Sequence, residues 1–297
     1  MNTPDNKISG NGHRGKALVF EHPPKRLVSL VPSITESLFE LGFGSAVVGI
    51  TDYCVYPTEK LQGITRIGGP KTPRIADILG LKPELVAANM EENPIEAVEE
   101  LEEAGIRVWV TFPRTVRESL DVLWLMVGLF HSRSAAIRLE TLEFTVEWAE
   151  SALEDQTPWR YFCPIWQFET GWMTINRETY VNDVLRLMGG ENVFASRNYH
   201  NCPDAGTNAD KSLQDNDKPV RYPRVTLQDI QDAAPDVILL PSEPFAFGEA
   251  ERSMFCEKLP EIPAVRSGRI HCIDGSLITW HGTRLARTLR ELPSLFR

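Results

Sequence analysis

The sequence predicts an α/β protein of two Rossmann-like lobes with parallel sheets, joined by one long backbone helix. Three observations predict it. Apolar strand-like runs alternate with helical spacings in both halves of the chain. The middle, from about 115 to 154, keeps a helical spacing with no proline and a single glycine, Gly128. DILGLKPELVAA (77–88) and DIQDAAPDVILL (229–240) repeat one pattern 152 residues apart: Asp-Ile, a short helix, Pro and an acid, then an apolar strand.

Residues 1–25 begin polar and Gly/Asn-rich and read as a disordered tail. The N-terminal lobe follows at 26–114. RLVSLVPSITESLFELGFG (26–44) is a strand, a Pro-Ser turn and a helix capped by Ser33 or Thr35, with Leu38, Phe39 and Leu41 on one face. AVVGI (46–50) is a strand that leaves into the loop TDYCVYP (51–57). DILGLKPELVAAN (77–89) is a helix, turn and strand; EAVEELEEAGIRVWVTF (96–112) is a helix, a stop at Gly105 and a strand. The connecting helix, 115–155, is about 55 Å long at the α-helical rise. The C-terminal lobe spans 156–297 through RYFCPIW (160–166), ETYVNDVLRLMGG (178–190), TLQDIQDAAPDVILLPSE (226–243) and PAVRSGRIHCID (263–274), with a polar surface loop at 195–221. Ligands of parallel α/β sheets sit beyond the carboxyl ends of the strands, so two such lobes predict a cleft.

A formal net charge of −10 and the absence of a basic block exclude a nucleic-acid partner. The longest apolar run, VLWLMVGLF (122–130), is too short for a membrane span. The start of the chain lacks the apolar segment of a secretory signal, which predicts a cytoplasmic protein, or a periplasmic one if a leader has been removed. Five widely spaced cysteines fit reduced thiols.

RLVSLVPSITESLFELG, VVGITDYCVYP, LKPELVAAN, GGENVF (189–194) and YPRVTLQDI (222–230) together resemble the class III, helical-backbone periplasmic binding proteins, receptors for cobalamin, ferric siderophores, haem and metal ions; the match covers about 26–292 and is nearest the cobalamin-binding members. The resemblance implies a non-catalytic clamp holding a corrinoid, another tetrapyrrole or a metal chelate between two lobes. It places the aromatic wall on Tyr53, Tyr56, Trp172–Met173 and Tyr222, while Ile67 and Asn89 stand where two family tryptophans would, and Ser276 and Trp280 where a terminal acid and base would. It also implies a docking glutamate on each lobe for an ABC permease. Ala76 and Gln228 stand there instead, with Asp77 and Asp229 beside them, which argues against permease docking.

The residues themselves nominate the loops after predicted strands as the site. These carry Asp52, Tyr53, Cys54 and Tyr56; Glu91, Glu92 and Asn93; Phe112 and Arg114; Trp166, Phe168 and Trp172; Glu243, Phe245, Phe247 and Glu249; and Trp280 with His281. Glu92 and Glu243 could meet a hard metal or the amide arms of a corrinoid, and Arg114 an anion. His281 is the best single metal ligand; His200-x-Cys202 has non-standard spacing, and His131 and His271 read as structural. Cys54 reads as lining of the pocket, with metal ligation and catalysis as the other readings. A second function follows from the same residues: a cytoplasmic metal-binding enzyme or cofactor-handling factor using Cys54, His281 and the cleft carboxylates.

Overall fold

The structure, a computed structural model, describes residues 8–11, 17–153, 157–198 and 220–295. The chain divides into two units. Met1–Pro113, Arg117–Thr145 and Trp280–Ala286 make unit 1; Arg114–Val116, Val146–Thr279 and Arg287–Arg297 make unit 2. The sequence predicts lobes cut at 114 and 155. Instead the helical segment is divided between the units, and a short piece near the C-terminus returns to the first.

Unit 1 opens with a hairpin, β1 (Ile8–Asn11) against β2 (Ala17–Phe20), where the sequence suggests a disordered tail; Leu18 and Phe20 are buried, and that burial is what a free tail lacks. Next come β3 (Leu27–Ser29), α1 (Pro32–Glu40), β4 (Val47–Ile50), β5 (Thr65–Arg66), the small hairpin β6 (Gly68–Gly69) and β7 (Thr72–Pro73), α2 (Ile75–Gly80), β8 (Leu85–Asn89), α3 (Ile95–Glu103) and β9 (Val108–Thr111). The five-stranded sheet runs β5-β4-β3-β8-β9 with every pairing parallel. A parallel sheet is covered on both faces, so β3 and β8 are apolar runs buried throughout rather than alternating. Helix α1 begins at Pro32, with Val31 as a cap that makes no side-chain bond. Ser33 and Thr35 therefore lie inside the helix instead of capping it, and the Thr35 hydroxyl donates back to the Val31 carbonyl at 3.1 Å.

The single connecting helix is two helices, α4 (Val116–Phe130) and α5 (Arg133–Ser151). His131 takes a left-handed φ of 51°. Its N–H bonds the Gly128 carbonyl and the Ser132 N–H bonds Val127, the two bonds that close a helix C-terminus. Ser132 then accepts from the Ala135 N–H at 3.3 Å and starts α5 as its N-cap.

Unit 2 contains β10 (Trp159–Phe162), β11 (Pro164–Gln167), β12 (Trp172–Thr174), α6 (Tyr180–Arg186), β13 (Gly190–Asn192), β14 (Arg224–Val225), α7 (Leu227–Ala233), β15 (Val237–Pro241), α8 (Glu249–Lys258), α9 (Pro263–Arg266), β16 (Ile270–Ile273) and α10 (Ser276–Thr279); α11 (Leu285–Glu291) ends the helices. Its parallel sheet is β13-β10-β15-β16, and a second, antiparallel sheet β11-β12-β14 stands beyond the end of β10. The polar loop of 195–221 lies, for residues 199–219, outside the described residues, as do His200 and Cys202.

The repeat of 152 residues reaches the backbone. Lys82 and Ala234, left-handed with φ of 47° and 46°, occupy matching places after α2 and α7, and β8 and β15 start and end at matching residues.

Candidate functional site: two aromatic faces

In unit 1 the loop after β4 carries the nominated residues to different depths. Tyr53 is 65% exposed and Tyr56 37%, with Asp52 exposed beside them. Cys54 between them is fully buried, its Sγ 3.1 Å from Thr35 Oγ1 and 3.2 Å from Thr51 Oγ1. Burial pushes its thiol up, against smaller opposing effects of those hydroxyls and Arg66. Cys54 therefore does not line a pocket. It is a small interior residue whose protonated thiol is poor for both metal ligation and attack.

Behind the tyrosines lies a cation that the sequence did not nominate. Arg284 is buried and forms a two-pronged ion pair with Glu36 of α1, Nε to Oε2 at 2.7 Å and Nη2 to Oε1 at 2.5 Å. The guanidinium sits 4.5 Å from the centre of the Tyr56 ring and 4.7 Å from that of Trp280, and the two rings meet edge to face at 5.9 Å. Tyr56 and Trp280 are thus held as one rigid wall by a charge already neutralised inside the unit.

His281 is buried with Nε2 3.3 Å from Ser33 Oγ, and burial drops its pKa to about 4, so it is neutral at ordinary pH. No group of three or more His, Cys, Asp or Glu side chains suited to a metal occurs among the described residues. His281 is an interior residue held against Ser33. Glu92 is exposed beside a buried asparagine brace: Asn93 Oδ1 accepts from Asn89 N–H at 2.8 Å, and its amide donates to Pro70 O at 3.0 Å.

In unit 2 the antiparallel register sorts the aromatics. Trp166 pairs with Met173 and Met173 with Arg224, while Gln167 pairs with Trp172 and Trp172 with Val225. Directly paired residues share a sheet face. Trp172 and Val225 are buried in the core with Phe255 and Phe247. Trp166 is 43% exposed on the other face, edge-on to Phe245 at 5.6 Å. Two nominated residues are therefore core: the pleat turns Trp172 inward, and Phe247, in the connection between β15 and α8, packs in the same cluster. The Arg224 guanidinium lies 4.0 Å from the centre of the Phe168 ring, and its Nε is buried with no hydrogen-bond partner among the described residues. Tyr222 is half-buried, its ring 5.6 Å from the Arg221 guanidinium. Glu243 accepts from Thr279 Oγ1 at 2.6 Å, which fixes it in place. Arg114 lies 3.8 Å from Glu178, both exposed.

A profile of the periplasmic binding protein family matches residues 27–276. The chain belongs to the periplasmic binding protein family. The vitamin B12-binding protein of Vibrio cholerae serotype O1 is 25% identical over 275 residues, covering 90% of this chain and 86% of that one. The vitamin B12-binding protein of Photorhabdus laumondii is 25% identical over 220 residues, 73% of this chain and 70% of its own. The crystal structure of the periplasmic vitamin B12 binding protein of Vibrio cholerae superposes with a TM-score of 0.73 at 21% identity, covering 92% of this chain and 97% of that one. The periplasmic heme-binding protein RhuT from Roseiflexus sp. RS-1, in apo form, gives 0.72 at 22% identity with the same coverage. These structural likenesses establish the two-lobed α/β fold.

The family's members are substrate-binding proteins, and no helix among the described residues is long and apolar enough to cross a membrane. In this periplasmic binding protein, Ala76 and Gln228 sit exposed in the first turns of α2 and α7. Their acidic neighbours are engaged locally. Asp77 pairs with Arg74 at 2.5 Å; Asp229 forms a capping box with Thr226 and pairs with Arg197 at 2.8 Å, which together hold its carboxyl below its usual range despite the opposing effect of burial.

Proposed function

We propose that the protein is a non-catalytic receptor for a broad, flat, partly apolar ligand of the corrinoid, tetrapyrrole or metal-chelate class. The observation that carries this reading is the exposure of Tyr53 and Tyr56 on the loop after β4, and of Trp166 on β11, the strand that follows the carboxyl end of β10. Exposed aromatics normally cost solubility and are kept where a ring-shaped ligand covers them. Asp52, Tyr53, Tyr56, Glu92 and Trp280 are the contacts proposed from unit 1; Arg114, Trp166, Tyr222 and Glu243, with Phe245 and Arg224, those from unit 2. The similarity to vitamin B12-binding proteins along most of the chain makes cobalamin the first ligand to try.

The reading as an enzyme or metal-handling factor loses its two central groups, because Cys54 and His281 lie in the interior of unit 1. For delivery to an ABC permease, a glutamate-led docking contact is not available at Ala76 and Gln228, and any docking would use other groups.

Titration of the purified protein with cobalamin, cobinamide, haem and ferric chelates, read by absorbance and by quenching of tryptophan fluorescence, tests the proposal. One-to-one saturation by a member of this set that weakens at least about tenfold in Tyr53→Ala and Trp166→Ala supports it. Absence of binding to all of them refutes it.

A further inference from the structure

Native interiors leave few polar groups unpaired. Among the described residues, three of the five buried side-chain nitrogen and oxygen atoms without a hydrogen-bond partner sit on one small sheet, β11-β12-β14: Gln167 Oε1, Trp172 Nε1 and Arg224 Nε. Gln167 and Trp172 oppose each other in the register, and Trp172 turns toward the core. Arg224 is on the other face, where the register lines up Trp166, Met173 and Arg224 across the three strands.

Arg224 differs from the paired arginines of the interior. Arg197 holds Asp229 at 2.8 Å and Arg284 holds Glu36 at 2.5 Å. Arg224 has no ion pair or hydrogen bond among the described residues, and the Phe168 ring, its centre 4.0 Å from Cζ, covers one side of the guanidinium. Glu169, beside Phe168 in the turn that joins β11 to β12, is exposed and does not pair with it. A guanidinium keeps its charge at every ordinary pH, and a half-buried one gives up hydration with no counter-ion in return. The stack on Phe168 offsets part of that cost and fixes the plane of the fork. With Nε enclosed, the Nη1–Nη2 edge is the side left for an anion.

We propose that this row is the subsite for an acidic arm of the ligand: Arg224 pairs through Nη1 and Nη2 with a carboxylate or a phosphodiester, and Trp166 and Met173 carry the apolar part beside it. The proposal rests on the receptor function proposed above and narrows it. The ligand is an anion, with at least one ionised arm, rather than a ring whose arms are all neutral.

The test compares two pairs of ligands on the full chain, read by quenching of tryptophan fluorescence. Haem against its dimethyl ester removes the carboxylates, and cobalamin against cobinamide removes the phosphodiester. In one pair the wild-type chain binds the acidic member at least about tenfold more tightly, and Arg224→Gln abolishes that preference while leaving the neutral member within about twofold. The neutral member thereby reports that the variant is folded. The pair that responds identifies the acid as carboxylate or phosphodiester. Arg224→Lys, which keeps the charge without the fork, restores only part of the preference. Binding without any preference for the acidic member, or a preference that survives Arg224→Gln, overturns the acidic subsite and leaves the receptor function standing. Failure of all four ligands to bind the wild-type chain overturns both.

Discussion

The loops at the ends of the two parallel sheets solve the same problem in opposite ways. Unit 1 carries its cation inside: Arg284 is matched by Glu36 and capped by Tyr56 and Trp280, so the aromatic wall presents no net charge of its own. Unit 2 keeps Trp166 exposed and stacks Arg224 on Phe168 with Nε unpartnered among the described residues. One face is rigid because its polar groups are satisfied within the protein. The other keeps a buried guanidinium nitrogen, Arg224 Nε, without a hydrogen-bond partner among the described residues. A buried donor left unpaired is costly, so the two faces differ in how fully their polar groups are satisfied.

The most damaging way to break this contrast is Glu36→Gln. It leaves the Arg284 charge buried without its partner, at a cost of about 3–5 kcal/mol in urea-induced unfolding. A loss below 1 kcal/mol, in the range of an exposed pair, would show that the guanidinium is not truly enclosed. In unit 2, Trp172→Ala removes a core side chain and costs about 3–5 kcal/mol, whereas Trp166→Ala leaves stability within about 0.5 kcal/mol and acts on ligand binding alone. Equal stability losses for the two tryptophans would abolish the inside–outside assignment. The third effect is a matter of pH. His281 takes a proton near 6.5 when unfolded but only near 4 in the fold. The unfolded chain therefore binds more protons between those values; the stability contributed by the neutral ring is complete above pH 6.5 and falls as pH drops toward 4, by about 3 kcal/mol at most. Unfolding of wild type and His281→Gln measured from pH 7.5 to 4 checks this: the variant should lose this part of the slope, and parallel slopes would argue that another group titrates.

Much of the fold was legible because buried parallel strands are continuous apolar runs, and because the 152-residue repeat survives at single-residue resolution from Lys82 and Ala234 into β8 and β15. The break in the long helix has a local cause that helical spacing hides. Ser132 offers an N-cap in the middle of the helical spacing, and His131 adopts the left-handed turn that glycine more often supplies. The site was legible in its loops but not in its depths. Cys54 and Tyr53 are neighbours in sequence, yet one is fully buried and the other mostly exposed. Trp166 and Trp172 look alike until the register is known, and an irregularity between Pro164 and Trp166 shifts that register. Glu36 and Arg284 are 248 residues apart, so no spacing rule could join them. Only a lone arginine following an aromatic-rich turn, TWHGTR, hinted that the end of the chain mattered.

That distance bears on how the protein comes into being. Trp280–Ala286 belongs to unit 1 although nearly all of unit 2 precedes it in the chain. During synthesis the first unit emerges from the ribosome long before Arg284, and until then Glu36 has no counter-ion for its interior position. The N-terminal unit is therefore completed only once residues 280–286 have been made, and a premature stop before residue 280 damages the part of the molecule that was made first.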